Sequence, residues 1–423
     1  MIQVLRVGFI GAGFNAGFHL RALTEHGGVR GAEVTGVYAL KGANEFAEKV
    51  KAAGMTDCQV YDSVADLCKA VDVVSFSFPN KFRVEILRQV LVAVKAGAKL
   101  KGIVCEKPFA RNMFEANEML RLLDELATYG CYFAYFENQI FMPTVIACME
   151  QLATVAGRTG GFHLTRSAEE HGGPHEPWFW NPTNQGGGVF LDMGCHSVGV
   201  GQFMLTPSGK PPLFLEPISA NVSLQLLKWG KEPFLGELMA KQGVDYSANG
   251  TPAEDYALAL YTFRNPETGE IVVAQATDSW MYTAPGLKLE MEAHAGLHSF
   301  RINTSDATSK VFISDAAAVA VANAEKAQEK AQASRGLLNV LPMEPLDYGY
   351  VGEWVDALNA FRQGRNGFLD GRFGHHIVKM LMAGYLSSEI GQVVDLTDSN
   401  VIRGLEAYIP KIQQGKGAEV LLP

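Results

Sequence analysis

The stretch VLRVGFIGAGFNA, Val4 to Ala16, decides the fold. A short apolar run rich in β-forming residues enters Gly11-Ala12-Gly13-Phe14-Asn15-Ala16, and an Ala- and Leu-containing helical pattern follows. Strand, glycine turn and helix in that order are the context the dinucleotide fingerprint requires. The first glycine permits the tight turn, the second lets backbone amides approach a pyrophosphate, and the small third residue lets helix and strand pack closely. The alternative is a glycine turn without a ligand.

Outward from this point the same rhythm repeats. EVTGVYAL, VDVVSFSF, KGIVCEKP and CYFAYF alternate with segments rich in Ala, Leu, Lys and Glu, the pattern of a parallel sheet covered on both faces. From about residue 160 the runs become extended and alternate in polarity: GGFHLTRSAEE, SANVSLQLLKW, DYALALYTF, EIVVAQATDSW, LKLEMEAHAG and HSFRINTS. Strands without helices between them predict a mostly antiparallel sheet with one face left open. The expected fold class is therefore α/β: a doubly wound dinucleotide-binding domain over residues 1–136, then an α+β domain over residues 137–423 for substrate binding and oligomerisation. Thr206 to Pro252, rich in Gly and Pro, is expected to hold long loops, and the Ala-rich Ser314 to Arg335 a helix. EWVDALNAFRQG and GHHIVKMLMAGYLSSEIGQ are expected as closing helices that pack back.

Composition narrows the function. The chain has 423 residues, 48% of them hydrophobic, enough for two cores. A net charge of −9 without a Lys/Arg run excludes nucleic acid and anionic membranes as partners and leaves a small molecule. Six cysteines lack metal-ligand spacing and read as free thiols in a reducing compartment, so no metal is expected. With no signal-peptide pattern at the N-terminus and no apolar run long enough to span a bilayer, the expected location is the cytoplasm.

Candidate cofactor residues fall at the carboxyl ends of the predicted parallel strands, where ligands bind in such sheets. They are Gly11, Gly13, Phe14, Asn15 and Ala16 in the first turn, Pro79 and Asn80 after VDVVSFSF, and Glu106 and Lys107 after KGIVC. At the end of the second strand, where an acid usually binds the adenosine ribose of NAD, the chain has Tyr38-Ala39-Leu40-Lys41. The absent acid removes a repulsion against a 2′-phosphate and Lys41 supplies an attraction, so the cofactor is NAD or NADP, with a lean to NADP. As a mere solvated surface residue, Lys41 carries no such preference.

A second glycine run, GGGVFLDMGCH from Gly186 to His196, sets a carboxylate and an imidazole four residues apart, on one face of a helix. That spacing suits acid/base chemistry, or a buried pair that only ties two elements together. Upstream, EEHGGPHEPWFWNP offers His175, Trp178 and Trp180 for sugar contact, since aromatic planes cover the apolar faces of sugar rings. Tryptophans packed beneath a loop are the alternative. Arg166, Tyr282 and Lys288 are expected to face the same cleft, whereas His375 and His376 point different ways on a helix and read as structural.

Together GFIGAGFNAGFH, FPN (78–80), CEKPFARN (105–112), ENQIFMP (137–143) and GGGVFLDMGCH resemble, in order and spacing, the Gfo/Idh/MocA family of oxidoreductases. The resemblance covers essentially the whole chain. It implies that Lys107 is the family's lysine, often followed by a cis proline, that Asp192 and His196 are the acid/base pair, and that Asn138 lies near the cofactor. It also implies that the glycines of 186–188 let the chain pass close to the cofactor, and that the open sheet face pairs with another subunit in a homodimer or homotetramer. Two positions depart from the family's pattern: Arg83 stands where a histidine is frequent, and Gly199 where an acid is frequent.

The implied reaction moves a hydride between NAD(P) and a secondary hydroxyl of a sugar, glycoside or cyclic polyol. His196 acts as base, Asp192 orients it and Lys107 polarises the oxygen. A redox-assisted glycosidase, working by transient oxidation, elimination and hydration, is the alternative, and a non-catalytic cofactor sensor is a third reading.

Overall fold

The computed structural model describes residues 2–24, 29–246, 252–284, 286–321, 335–340 and 348–422. It divides into two compact units, Met1–Met142 with Pro345–Val378, and Pro143–Glu344 with Lys379–Pro423. The segment Pro345–Val378, with the closing helix EWVDALNAFRQG, belongs with the first of these.

Among the described residues of the first unit, six parallel strands run in the order β3-β2-β1-β4-β5-β6. They are β1 (Leu5–Ile10), β2 (Ala32–Tyr38), β3 (Gln59–Val60), β4 (Val73–Phe76), β5 (Gly102–Glu106) and β6 (Tyr132–Phe136). All residues of β4 and β5 are buried, as expected of parallel strands covered on both faces. Strand order reverses between β1 and β4, which makes their carboxyl ends the switch point.

Local capping starts two of the covering helices. Ser63 accepts from the Asp66 amide to open Val64–Ala70, and Asn112 from the Glu115 amide to open Met113–Ala127. The helix Tyr350–Arg362 completes the core: Trp354, Ala357, Leu358 and Phe361 pack with Val7, Phe9, Val104 and Phe136. Each such large apolar side chain contributes about 1.5–3 kcal/mol by burial. Gly102 makes room for this helix, because a Cβ there would lie 2.4 Å from the Phe361 ring.

The second unit carries, among its described residues, a nine-stranded sheet of order β14-β13-β12-β11-β7-β10-β9-β8-β15. Its strands are β7 (Leu164–Glu170), β8 (Glu216–Gln225), β9 (Tyr256–Arg264), β10 (Ile271–Ser279), β11 (Lys288–His294), β12 (His298–Asn303), β13 (Thr308–Ile313), β14 (Gly336–Asn339) and β15 (Val394–Asp395). The β7–β10 pair is parallel and the remaining pairs are antiparallel.

The helix Gly194–Leu205 lies on β7 and β10. A Cβ on Gly201 would sit 3.4 Å from Thr165 Oγ1, and that hydroxyl donates to the Gly201 carbonyl at 3.1 Å. Side-chain alternation follows from this cover: Thr165, Ser167 and Glu169 are buried beneath the helix, while Arg166, Ala168 and Glu170 point to the opposite face.

The segment from Thr206 to Pro252 holds more than loops, for it contains β8 and the helix Phe234–Gln242. Of the Ala-rich segment, Asp315–Val321 is helical; residues 322–334 lie outside the described residues.

Candidate functional site

In the first unit the glycine turn is fixed by its neighbours. The Gly11 amide donates to the Tyr38 carbonyl at 2.8 Å, its φ is 99°, and a Cβ there would lie 2.1 Å from the Ser77 carbonyl oxygen. No side chain fits. Gly13 is different: nothing lies within 4 Å of where its Cβ would be. Phe14, at the start of the helix Phe14–Thr24, is 61% exposed, and Ala16 is in the core. The first turn of that helix, with amides lacking intrahelical acceptors and open space at Gly13, fits the pyrophosphate of a dinucleotide. Lys41 is exposed next to Gly42, whose Cβ position is 3.9 Å from Ala12.

The ends of β4 and β5 are tied together. Asn80 is buried in the turn Asn80–Phe82, after Pro79. Arg83 is 3% exposed and its Nη2 donates to the Lys107 carbonyl at 2.9 Å, while the Lys107–Pro108 peptide is cis. Where a histidine is frequent in the family, this chain thus uses a buried guanidinium to hold the backbone of Lys107.

Glu106 serves an internal network. Its Oε2 accepts from the Lys107 amide at 3.1 Å and its Oε1 pairs with His19 Nε2 at 2.8 Å. Trp354 Nε1 donates to His19 Nδ1 at 3.1 Å, which places the imidazole proton on Nε2 and makes His19 the donor to Glu106. Burial pushes the Glu106 carboxyl up, but the His19 bond, helped by the Lys107 charge, brings it down to about 2. Glu353 Oε1 lies 3.9 Å from His19 Nδ1. One ligand-type atom each of His19, Glu106 and Glu353 falls within 4.8 Å of the others, yet both imidazole nitrogens already have hydrogen-bond partners. This network escaped the sequence reading, although His19 and Glu353 both lie in stretches quoted for other reasons.

Asn15 Oδ1 accepts from Tyr350 Oη at 3.3 Å. The Asn138 side-chain amide donates to the Tyr348 carbonyl at 2.7 Å, which ties it to the turn before Tyr350–Arg362.

In the second unit Asp192 ends the short helix Val189–Asp192 and His196 lies in the first turn of Gly194–Leu205, each 5% exposed. The chain is continuous in hydrogen bonding across Met193: the Asp192 amide donates to Gly188 O at 3.1 Å and the His196 amide to Met193 O at 2.9 Å.

The three glycines before this segment are explained by the chain itself. Gly186 has φ 109°, a Cβ on Gly187 would lie 1.9 Å from Tyr385 Oη, and one on Gly188 would lie 2.2 Å from the Glu254 carbonyl oxygen. Gly187 and Gly188 thus admit Tyr385 and Glu254. Glu254 Oε1 accepts from the Gly188 amide at 2.8 Å, the Phe190 amide at 3.2 Å and Tyr385 Oη at 2.6 Å. Complete burial raises the Glu254 carboxyl to about 7 against these three donors, which favour its charged form.

Under the same helix, Asp278 of β10 and Glu169 of β7 are register partners, both buried. Ser197 Oγ donates to Asp278 Oδ1 at 2.6 Å. Burial holds the Asp278 carboxyl well above the usual carboxylate range; the charges of Glu169 and Asp192 add to this, and those of Ser197's bond and His196 oppose it. Two buried acids of the sheet thus lie beneath the helix that carries His196. The signal was present in EIVVAQATDSW: Asp278 continues the covered face Val272, Ala274 and Ala276.

Other candidates separate. Trp180 is 2% exposed, donates from Nε1 to the Pro174 carbonyl at 2.9 Å, and packs on Trp229 and Trp280 with ring centroids 5.3 and 4.9 Å away. It is core, which corrects its assignment to sugar contact. Trp178 is half-buried and stacked on Phe179, and His175 is exposed. The Tyr282 amide donates to the His171 carbonyl at 3.2 Å, next to the same loop.

Arg166 and Lys288 are also corrected. They lie on the sheet face opposite Gly194–Leu205, where Arg166 pairs with Glu292 at 3.2 Å and Lys288 with Glu170 at 2.8 Å. His375 Nε2 lies 2.7 Å from Asn117 Oδ1.

Comparison with known proteins agrees with this architecture. Residues 5–132 match the profile of the oxidoreductase family with an NAD-binding Rossmann fold, and residues 153–294 that of the GFO/IDH/MocA C-terminal domain. D-glucoside 3-dehydrogenase of Escherichia coli (strain K12) is 31% identical over 153 residues, which span 35% of this chain and 40% of that enzyme. The chain thus aligns with less than half the length of that relative.

Among solved structures, GenD2 from gentamicin A biosynthesis in complex with NAD superposes with a TM-score of 0.67 at 20% identity, covering 94% of this chain and 97% of that one. Levoglucosan dehydrogenase in complex with NADH gives 0.66 at 17% identity, covering 93% and 99%. Two profile matches in the family's own domain order, on a sheet that ends in the Gly11 turn, identify the chain as an NAD-binding oxidoreductase of the GFO/IDH/MocA family.

Proposed function

We propose that this oxidoreductase moves a hydride between NAD(P) and a secondary hydroxyl of a sugar, glycoside or cyclic polyol. The observation that carries the proposal is the buried carboxylate and imidazole of Asp192 and His196, one turn apart on adjoining helices held by Glu254. A dinucleotide would be held by Gly11, Gly13, Phe14, Asn15 and Ala16, with Pro79, Asn80 and the backbone at Glu106 and Lys107 at its other end. When bound it accepts or returns the hydride.

His196 takes the hydroxyl proton, Asp192 orients the imidazole and stabilises its cation, and the Lys107 ammonium favours alkoxide character on the reacting oxygen. The similarity to a D-glucoside 3-dehydrogenase, and to the structure of a levoglucosan dehydrogenase, supports a carbohydrate as substrate. His175, Trp178 and Tyr282 remain its proposed contacts.

One observation favours the redox-assisted glycosidase as second reading: in the His/Glu-rich stretch 169–176, His175 is exposed and would supply the further acid/base group that elimination of an aglycone demands. The exposed Lys41 and the lack of an acid at the end of β2 support acceptance of NADP. Exposed Leu258 and Leu260 on the open sheet face support pairing of two copies there, as a homodimer or homotetramer. Six free, buried cysteines support a cytoplasmic location.

Oxidised cofactor is screened against sugars, inositols and nitrophenyl glycosides, following both the reduced-cofactor and the nitrophenol absorbance. Stoichiometric reduction supports the dehydrogenase. Release of nitrophenol with no net reduction supports the glycosidase, and neither signal across the panel overturns both.

A further inference from the structure

We propose that Glu254 is a positioning residue for hydride transfer: its buried carboxylate clamps the backbone that carries Asp192 and His196, and the clamp tightens when that carboxylate is ionised. This inference rests on the reaction proposed above.

The geometry concentrates several donors on one acid. Glu254 is 0% exposed, and a single oxygen, Oε1, gathers the amides of Gly188 and Phe190 and the hydroxyl of Tyr385. Its own carbonyl accepts from the Val189 amide at 2.9 Å, so three consecutive residues, Gly188, Val189 and Phe190, hang on one glutamate. Gly188 O in turn accepts the Asp192 amide, and His196 follows four residues on.

The adjoining acid shows the contrast. Asp255 ties the amides of Leu227, Lys228 and Trp229, a loop remote in sequence from Asp192. Among the described residues Glu254 Oε2 has no hydrogen-bond partner.

Ionisation and hydrogen bonding pull in opposite directions here. The three donors bind a carboxylate more strongly than a carboxylic acid, while burial disfavours the charge and brings the group to about 7. Among the described residues the titratable side chains around it are Tyr385 from Gly371–Ile390, Tyr246 and Asp255. The sign follows: the folded chain holds this proton to a higher pH than the unfolded chain does. Stability is therefore lost as pH rises from the ordinary carboxylate range to about 7, while the clamp on Gly188 and Phe190 is gained. A residue that only supported the fold would not trade stability for turnover.

The test uses the full-length protein as wild type, E254Q and Y385F. Gln keeps an acceptor for Gly188 and Phe190 and loses the titration. We expect kcat of E254Q to fall by about tenfold to a hundredfold with KM within about twofold. Its acid limb should lack the second, Glu254-dependent step that the wild type shows. Y385F, which removes a donor that favours the ionised form, should move the second step to higher pH.

Two further readouts need no substrate. The unfolding constant of wild type relative to E254Q should rise on the order of a hundredfold between pH 4.5 and 8. Amide exchange at Gly188 and Phe190, corrected for intrinsic rate, should slow with rising pH in the wild type alone. Superimposable pH–rate profiles, or exchange with the same pH dependence in E254Q, overturn the clamp while leaving the dehydrogenase standing. If no sugar is oxidised, the function proposed above fails and the exchange and unfolding data still decide the clamp.

Discussion

Two glycine-rich turns, Gly11–Ala12–Gly13 and Gly186–Gly187–Gly188, look alike as strings and serve opposite purposes. In the first, Gly11 is excluded from bearing a side chain by the Ser77 carbonyl, but Gly13 faces open space. In the second, Tyr385 Oη and the Glu254 backbone fill the positions where Cβ atoms of Gly187 and Gly188 would be. One turn keeps room for something the chain does not supply; the other has already been filled by the chain. A glycine run therefore marks close approach, and only the surroundings say whether a ligand or a neighbouring side chain does the approaching.

The largest effect is expected at the filled turn. Gly188→Ala must displace the Glu254 backbone, an overpacking that costs about 3 kcal/mol or more, and should lose turnover as well because Asp192 lies four residues downstream. His196→Ala is the reference. It should lower turnover by about 10² to 10⁴ with unfolding unchanged. If thermal unfolding of Gly188→Ala matches wild type, the filled turn is misread.

Next comes the open turn. Gly13→Ala meets nothing among the described residues, so the unfolding temperature should stay put while calorimetry shows NAD affinity down by about tenfold. Gly13→Asp, which brings a carboxylate toward the phosphates, should abolish binding in a folded protein. Undiminished affinity in Gly13→Asp would remove the dinucleotide from this turn.

These two turns also show what could be read from sequence and what could not. The Rossmann half was legible because its signals are local: an apolar strand, the Gly11 turn and a helix are adjacent in the chain. Asp192 and His196 were legible by their spacing. Glu254, Tyr385 and Asp278 were not, because each acts on residues 64 or more positions away, and nothing local in PAEDYALA announces a clamp. Trp180, Arg166 and Lys288 were misassigned for a related reason. Residue type suggested sugar contact, while strand parity and packing against Trp229 and Trp280 decided their surroundings. The Arg83 guanidinium on the Lys107 carbonyl likewise joins residues 24 apart.

A smaller effect is expected at Lys41. Its side chain is exposed and follows β2, so Lys41→Ala should change the ratio of NADP to NAD affinity by no more than a few-fold, the scale of a solvated charge. An unchanged ratio, measured by calorimetry with both cofactors, would leave Lys41 as solvated surface and withdraw the lean to NADP.

The smallest effect is expected at Arg166, and it tests the parity argument directly. Arg166 alternates with Thr165 and Ser167, which lie beneath the helix carrying His196, so its guanidinium points to the other face and meets Glu292. Both partners are substantially exposed, at 50% and 36%, and such a pair contributes about 0–1 kcal/mol. Arg166→Ala should therefore leave KM for the sugar within about twofold and barely move the unfolding temperature. A second copy docked on this face would instead feel the change, so sedimentation should show a weaker dimer if the open sheet is the interface. A several-fold rise in KM with the oligomer intact would return Arg166 to the substrate, and the reading of the sheet's two faces would have to be reversed.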